Sequence, residues 1–117
     1  MNKRVLVVED EGLIRMTICD MLEELGLAYA EAANGADALA QLEADPGFDI
    51  MIADLGLPDM SGEQLLSLVR PLHPALRIVV ASGRSAQAGK GNPVFDGVQF
   101  LEKPFDLSQF QRVIESA

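Results

Sequence analysis

The sequence predicts an α/β protein: an open, doubly wound sheet of five parallel strands with helices on both faces. Two observations predict this. Short, β-branched apolar runs alternate along the chain with stretches of helical periodicity, in a β-α order repeated five times. The chain has 117 residues, 49% of them hydrophobic, which fits one domain spanning residues 1–117 with a single sizeable core. Right-handed crossovers between parallel strands bring every strand end to the same edge, where open α/β sheets place their chemistry.

The elements follow in order. Val5-Leu6-Val7-Val8 has the length and β-branched content of a buried strand. From Gly12 to Leu25, the residues Ile14, Ile18, Met21, Leu22 and Leu25 recur at helical spacing, and Gly26 supplies the stop. Cys19 lies inside that pattern and reads as core, and Met16, Met21, Met51 and Met60 read as packing residues. Residues 28–32 form a weaker second strand. Asn34-Gly35 opens a helix running to about Glu43, and residues 48–53 form the third strand. Ser61 and Gln64 make a capping-box pattern ahead of Leu65, Leu66, Leu68 and Val69, and Pro71 and Pro74 are expected to end that helix. His73, between Leu72 and Pro74, reads as a surface residue with no metal partner.

Residues 77–82 make the fourth strand and residues 98–102 the fifth. Asp106 with Gln109 starts a last helix carrying Leu107, Phe110, Val113 and Ile114. Between Ser82 and Val98, the segment Gly83 to Pro93 occupies a helix's place without a helix's composition. Glycine costs a helix interior about 1 kcal/mol and proline about 3. The helix here is therefore expected to be short or irregular, with at most a turn near residues 85–88.

Composition excludes several classes of function. A formal net charge of −9 argues against nucleic acid as a direct ligand. A single cysteine allows no intrachain disulfide and makes a reducing, cytoplasmic setting the default. No stretch approaches the ~20 apolar residues that a membrane span needs, and no signal-peptide pattern opens the chain.

The chemistry gathers at the strand ends. The first strand runs into Glu9-Asp10-Glu11, the third ends at Asp54, the fourth at Ser82, and Lys103 follows the fifth. Taken singly, each has a plain explanation: an acidic first helical turn, a loop cap, a turn serine, a solvated lysine. Four polar groups from four separate segments converging on one crevice do not. Glu9, Asp10 and Asp54 would repel one another unless a cation neutralised them, and hard oxygen ligands suit Mg²⁺ or Ca²⁺. An oxygen of Asp54 can attack an electrophilic phosphorus to give an acyl phosphate. Lys103 and Ser82 can supply a charge and a hydroxyl donor to the phosphoryl oxygens. No general acid and no substrate pocket are evident, so the phosphoryl group itself reads as the message.

Four blocks together resemble the receiver domain of bacterial two-component response regulators: Val7-Val8-Glu9-Asp10-Glu11; Asp54-Leu55-Gly56-Leu57-Pro58 with Gly62; Ala81-Ser82-Gly83; and Phe100-Leu101-Glu102-Lys103-Pro104-Phe105. The resemblance covers essentially the whole chain and implies the flavodoxin-like topology. It implies that Asp54 accepts a phosphoryl group from the phosphohistidine of a histidine kinase or a histidine phosphotransfer protein. Mg²⁺ would be ligated by Asp10, Asp54 and the backbone carbonyl of Gly56, with Glu9 acting through a bound water. Ser82 and Lys103 would contact the phosphoryl oxygens, and Phe100 would be the switch aromatic that turns inward with Ser82. Lys103-Pro104 matches a bond usually cis in the family. Such a domain catalyses only its own phosphorylation and dephosphorylation and acts by altering its binding to a downstream protein.

The chain departs from the family in three places: Glu9 where Asp is more usual, Phe rather than Tyr at position 100, and the segment Gly83 to Pro93. Competing functions fit less well. A haloacid-dehalogenase-like phosphatase needs a second Asp where this chain has Gly56, and an FMN carrier needs a phosphate loop where it has Glu9-Asp10-Glu11. A receiver used only for docking would not need Asp54, Ser82 and Lys103 intact. With no output domain after Ala117 in this sequence, the chain is expected to be either a stand-alone regulator or phosphorelay shuttle or a receiver cut from a longer protein, and Met1-Asn2-Lys3 reads as a natural start.

Overall fold

In the computed structural model, which describes residues 3–82, 93–103 and 105–116, the apolar runs form strands β1 (Arg4–Val8), β2 (Ala28–Ala32), β3 (Ile50–Ala53), β4 (Arg77–Ser82) and β5 (Gln99–Glu102). Between and after them lie helices α1 (Gly12–Glu24), α2 (Gly35–Ala44), α3 (Gly62–Leu72) and α4 (Leu107–Ser116), with a 3-10 turn at Pro93–Phe95. All strand pairings are parallel and the spatial order is β2-β1-β3-β4-β5. Because the order reverses beside β1, the strand ends of β1 and β3 flank the switch point at which doubly wound sheets bind their ligands.

The period-2 alternation of each strand sorts the core onto two faces. Leu6, Val8, Met51, Ala53, Ile78 and Val80 pack with Ala38 and Leu42 of α2, Leu65, Leu66 and Val69 of α3, and Phe95. Val5, Val7, Ile50, Ile52, Val79 and Ala81 pack with Ile18, Cys19 and Leu22 of α1 and Phe110 and Ile114 of α4. The near-continuous apolar runs of β1 and β3 are thus explained, since both faces of these central strands are covered. Cys19 is core as expected, and burial pushes its thiol up to about 11.

Helix ends use local chemistry. Asn34 caps α2 by accepting from Asp37 N–H at 2.8 Å. Ser61 and Gln64 close a reciprocal capping box on α3, and Asp106 and Gln109 exchange the same pair of bonds ahead of α4. At the end of α1, Gly26 takes φ 74°, while its N–H bonds to Glu23 O and that of Leu27 to Leu22 O, a Schellman closure.

Some expectations shift. The third helix does not end at Pro71 but runs through it to Leu72, capped by His73. A proline in the last turn removes one intrahelical bond but leaves no long continuation to disrupt. Strands β3 and β5 begin at Ile50 and Gln99, later than the apolar runs do. Phe48 instead lies under the Arg4 guanidinium, 4.7 Å from ring centroid to Cζ. Met16 is 55% exposed and is not a packing residue. The expected break at Gly83 to Pro93 falls outside the described residues up to position 92, after which comes the 3-10 turn at Pro93–Phe95.

Candidate functional site

Four segments deliver the site. Hydrogen bonding from Asp54 N–H to Val8 O at 3.2 Å holds the ends of β1 and β3 side by side, so Glu9 and Asp10 lie next to Asp54. One carboxylate oxygen from each of Glu9, Asp10 and Asp54 lies within 4.8 Å of the others, with Glu9 buried, Asp54 half-buried and Asp10 exposed. Lys103, just past β5, reaches across β4 to this cluster. Its Nζ donates to Glu9 Oε1 at 3.0 Å and to Asp54 Oδ2 at 3.4 Å. Ser82 ends β4 in register with Glu102, on the same sheet edge.

Among the described residues, the site is over-acidic, with Lys103 as the counter-charge. Burial raises the Glu9 carboxyl above its ordinary range, outweighing the opposing pull of the Lys103 ammonium and the Glu11 N–H. Burial also works against a charged Lys103, but its bond to Glu9 and the charges of Asp54 and Glu9 prevail and raise it. Three carboxylates against one ammonium leave the cluster net negative. Oxygens up to 4.8 Å apart can surround a hard divalent cation, whose ligand distances are about 2.0–2.6 Å. The donor set therefore fits Mg²⁺ or Ca²⁺.

The turn after Asp54 is tightly closed. Gly56 N–H donates to Asp54 Oδ1 at 3.3 Å, Gly56 bridges Ser61 in antiparallel fashion, and Gly62 N–H donates to Leu55 O at 2.8 Å. Gly62 admits no side chain, since a Cβ there would stand 2.8 Å from Leu55 Cα.

Two residues unmarked in the sequence reading complete the surroundings. Asp59 accepts from the N–H groups of both Gly35 and Ala36 at 2.9 Å, tying the Asp54 loop to the N-terminus of α2, and these bonds hold its carboxyl below the usual range. Met60 follows it into the space above Gly35, where a Cβ would come 2.5 Å from its Sδ. Arg15 donates to Glu9 O at 2.7 Å and pairs with Glu31 at 3.0 Å. No local sequence pattern marks either role, because each partner lies on a different element.

Phe100 is half-buried on β5, its ring 5.7 Å from that of Phe95 in a tilted arrangement. The Lys103-Pro104 bond involves a residue outside the described ones. The cavity of about 460 Å³ lined by Arg70, His73 and Arg77 lies at the opposite, N-terminal edge of the sheet, away from the acids. Beside the site runs an apolar groove of about 420 Å³ lined by Ile14, Thr17, Ile18, Lys103 and Phe105.

Comparison with known proteins agrees with this geometry. The family described as response regulator receiver domain matches residues 5–115. The chemotaxis protein CheY of Thermotoga maritima is 34% identical over 99% of this chain and 95% of its own length. The sensor kinase CckA of Brucella abortus is 36% identical over 95% of this chain, which spans only 12% of that kinase. Among solved structures, the chemotaxis protein CheY4 of Vibrio cholerae superposes with a TM-score of 0.89 at 26% identity, covering 99% of this chain and 98% of that one. A receiver domain from Methylobacillus flagellatus gives 0.87 at 30% identity, covering 99% and 98%. With its acids, its lysine and its sheet order all in place, the chain belongs to the response regulator receiver family, phosphorelay switches that catalyse only their own phosphorylation and dephosphorylation.

Proposed function

We propose that Asp54 is the phosphoacceptor and that its donor is the phosphohistidine of a histidine kinase or a histidine phosphotransfer protein. The observation that carries this is the position of Asp54. It is half-buried at the end of β3, beside Lys103, and its side-chain hydrogen bonds among the described residues are at the long end of the range, 3.3 and 3.4 Å. Its oxygens are within reach of a reactant yet lightly held. In the transfer, an Asp54 oxygen forms the new P–O bond as the donor's N–P bond breaks, and the released imidazole leaves with the electron pair. Lys103 supplies positive charge to the phosphoryl oxygens, and Ser82 a hydroxyl donor.

Mg²⁺ fits the donor set of Asp10, Asp54 and the Gly56 carbonyl, with Glu9 acting through water. When bound, it would neutralise the acids and polarise the phosphoryl oxygens. Ser82 and Phe100 are proposed as the switch pair that carries phosphorylation to a downstream protein partner. The apolar groove beside Lys103, together with the exposed Leu13 and Met16 on α1, offers a surface on which the donor protein can rest. No helix among the described residues is long and apolar enough to cross a membrane, and a cytoplasmic location is proposed with the single cysteine as support.

The test is direct. Acetyl phosphate with Mg²⁺ should add one phosphoryl group by intact mass to the parent and none to Asp54→Asn, whose amide oxygen cannot form the acyl phosphate. Full labelling of the Asn variant would overturn the assignment.

A further inference from the structure

We infer that the cationic cavity at the N-terminal edge of the sheet is a binding site for a small phosphorylated organic anion, held by Arg70, His73 and Arg77. It shares no residue with the acids and the lysine at the opposite edge, and so lies beyond the role given to Asp54.

The cavity measures about 460 Å³, a volume typical of small-molecule pockets. It is lined by the end of α3, the turn into β4, the first residues of β4, and Gly97 ahead of β5. Its long polar side chains are Arg70, His73 and Arg77. No acid lines it, in a chain with 18 Asp and Glu residues against nine Lys and Arg and one His. A molecule at −9 repels anions over most of its surface, so a concave patch of guanidinium groups without a carboxylate is where an anion can settle.

Carboxylates do not already occupy these arginines. The ion pairs among the described residues use Arg4, Arg15 and Lys103, and neither Arg70 nor Arg77. Arg70 is anchored by a neutral partner instead. Its Nη1 donates to Val94 O at 3.0 Å, which holds the guanidinium in place and leaves other N–H donors of the fork for a ligand. His73 caps α3 through its N–H to Val69 O at 2.8 Å, and its carbonyl accepts from Leu76 N–H at 3.1 Å, so the turn carrying it is fixed. The helix dipole accounts for a cation in the last turn of α3, as with Arg70, but Arg77 opens β4 and belongs to no helix. The adjoining cavity of about 310 Å³ has one acid in its lining, Asp49, whose carboxylate accepts from Arg4 N–H at 2.9 Å.

Guanidinium forks match the oxygens of phosphate and carboxylate alike. Three donor side chains suit the three terminal oxygens of a phosphomonoester better than the two of a carboxylate. Pro74, Ala75, Leu76 and Ile78 supply an apolar wall for an organic body that inorganic phosphate lacks.

The test titrates phenyl phosphate into ¹⁵N-labelled protein in EDTA, with sodium chloride at the same ionic strength as the control. Saturable amide shifts are expected at Leu76, Arg77 and Gly97 in the millimolar range. Arg77→Gln should weaken binding by roughly tenfold or more, the worth of a charge-assisted hydrogen bond. Arg77→Lys keeps the charge but loses the fork, should weaken binding less, and carries the comparison if the Gln variant does not fold. Asp54→Asn should bind as tightly as the parent, which separates this site from the phosphoacceptor. Shifts that fail to saturate, that sodium chloride alone reproduces, or that persist unchanged in both Arg77 variants would overturn the inference. So would loss of binding in Asp54→Asn, or succinate binding more tightly than phenyl phosphate.

Discussion

Removing Lys103 while keeping its bulk, as in Lys103→Met, should destabilise the metal-free protein strongly at pH 8 and much less at pH 5. The ammonium stands 3.0 Å from Glu9 and 3.4 Å from Asp54. At an effective dielectric constant of about 20, each contact is worth roughly 5 kcal/mol before desolvation and side-chain entropy are subtracted. Breaking a buried pair from one side typically costs about 3–5 kcal/mol. Because the Lys103 side chain is 22% exposed while that of Glu9 is 2% exposed, the low end of that range applies, about 3 kcal/mol. In a domain of this size, that is a fall in Tm on the order of 10 °C.

The pH dependence follows from Glu9. Burial already raises its folded-state carboxyl above the ordinary glutamate value, and losing Lys103 raises it further. As pH falls through that raised value, the folded variant binds a proton that the unfolded chain does not yet bind, and the variant regains stability. The gain is complete below the unfolded value. Urea titrations in EDTA at both pH values, followed by circular dichroism, give the measurement. A variant as stable as the parent at pH 8, or one equally weakened at pH 5, would refute the reasoning.

Other outcomes are expected. Millimolar Mg²⁺ should raise the Tm of the parent, by the equivalent of about 2.7 kcal/mol at a hundredfold excess over Kd, and Asp10→Ala should blunt that rise in a thermal-shift titration. Gly62→Ala should lower stability by about 1–3 kcal/mol, because its Cβ meets the backbone of Leu55 at 2.8 Å; Gly56→Ala, with nothing within 4 Å, should be tolerated in the same denaturation assay. Asp59→Ala should lower stability at neutral pH. Two N–H groups of α2 hold the parent's carboxyl below the ordinary aspartate value, so its contribution is present above that value and lost as pH falls through the depressed folded one. Urea titrations at pH 7 and pH 3 should show the gap between parent and variant closing at the lower pH.

The sequence by itself determined the strands, the helix caps and the edge at which Glu9, Asp10, Asp54, Ser82 and Lys103 gather. Each of those signals is local: a run of apolar residues, a Ser61–Gln64 or Asp106–Gln109 pair, a glycine such as Gly26 beyond a helix. The common edge then followed from alternation, since parallel strands must all end on one side, whereas the order β2-β1-β3-β4-β5 is a property of the folded sheet. The tertiary structure alone decided which group holds which. Lys103 and Glu9 are 94 residues apart, and nothing in either segment says that the lysine sits closer to Glu9 than to Asp54. Asp59 looks like an ordinary turn residue until α2 brings the N–H groups of Gly35 and Ala36 to it from 24 and 23 positions away. Met16 has the apolar character of a packing residue yet is exposed, and Pro71 has the look of a helix stop yet lies within the last turn of α3. Spacing along the chain fixes which residues share a face, but contacts depend on strand register and side-chain reach between distant elements, and only the folded chain supplies those distances.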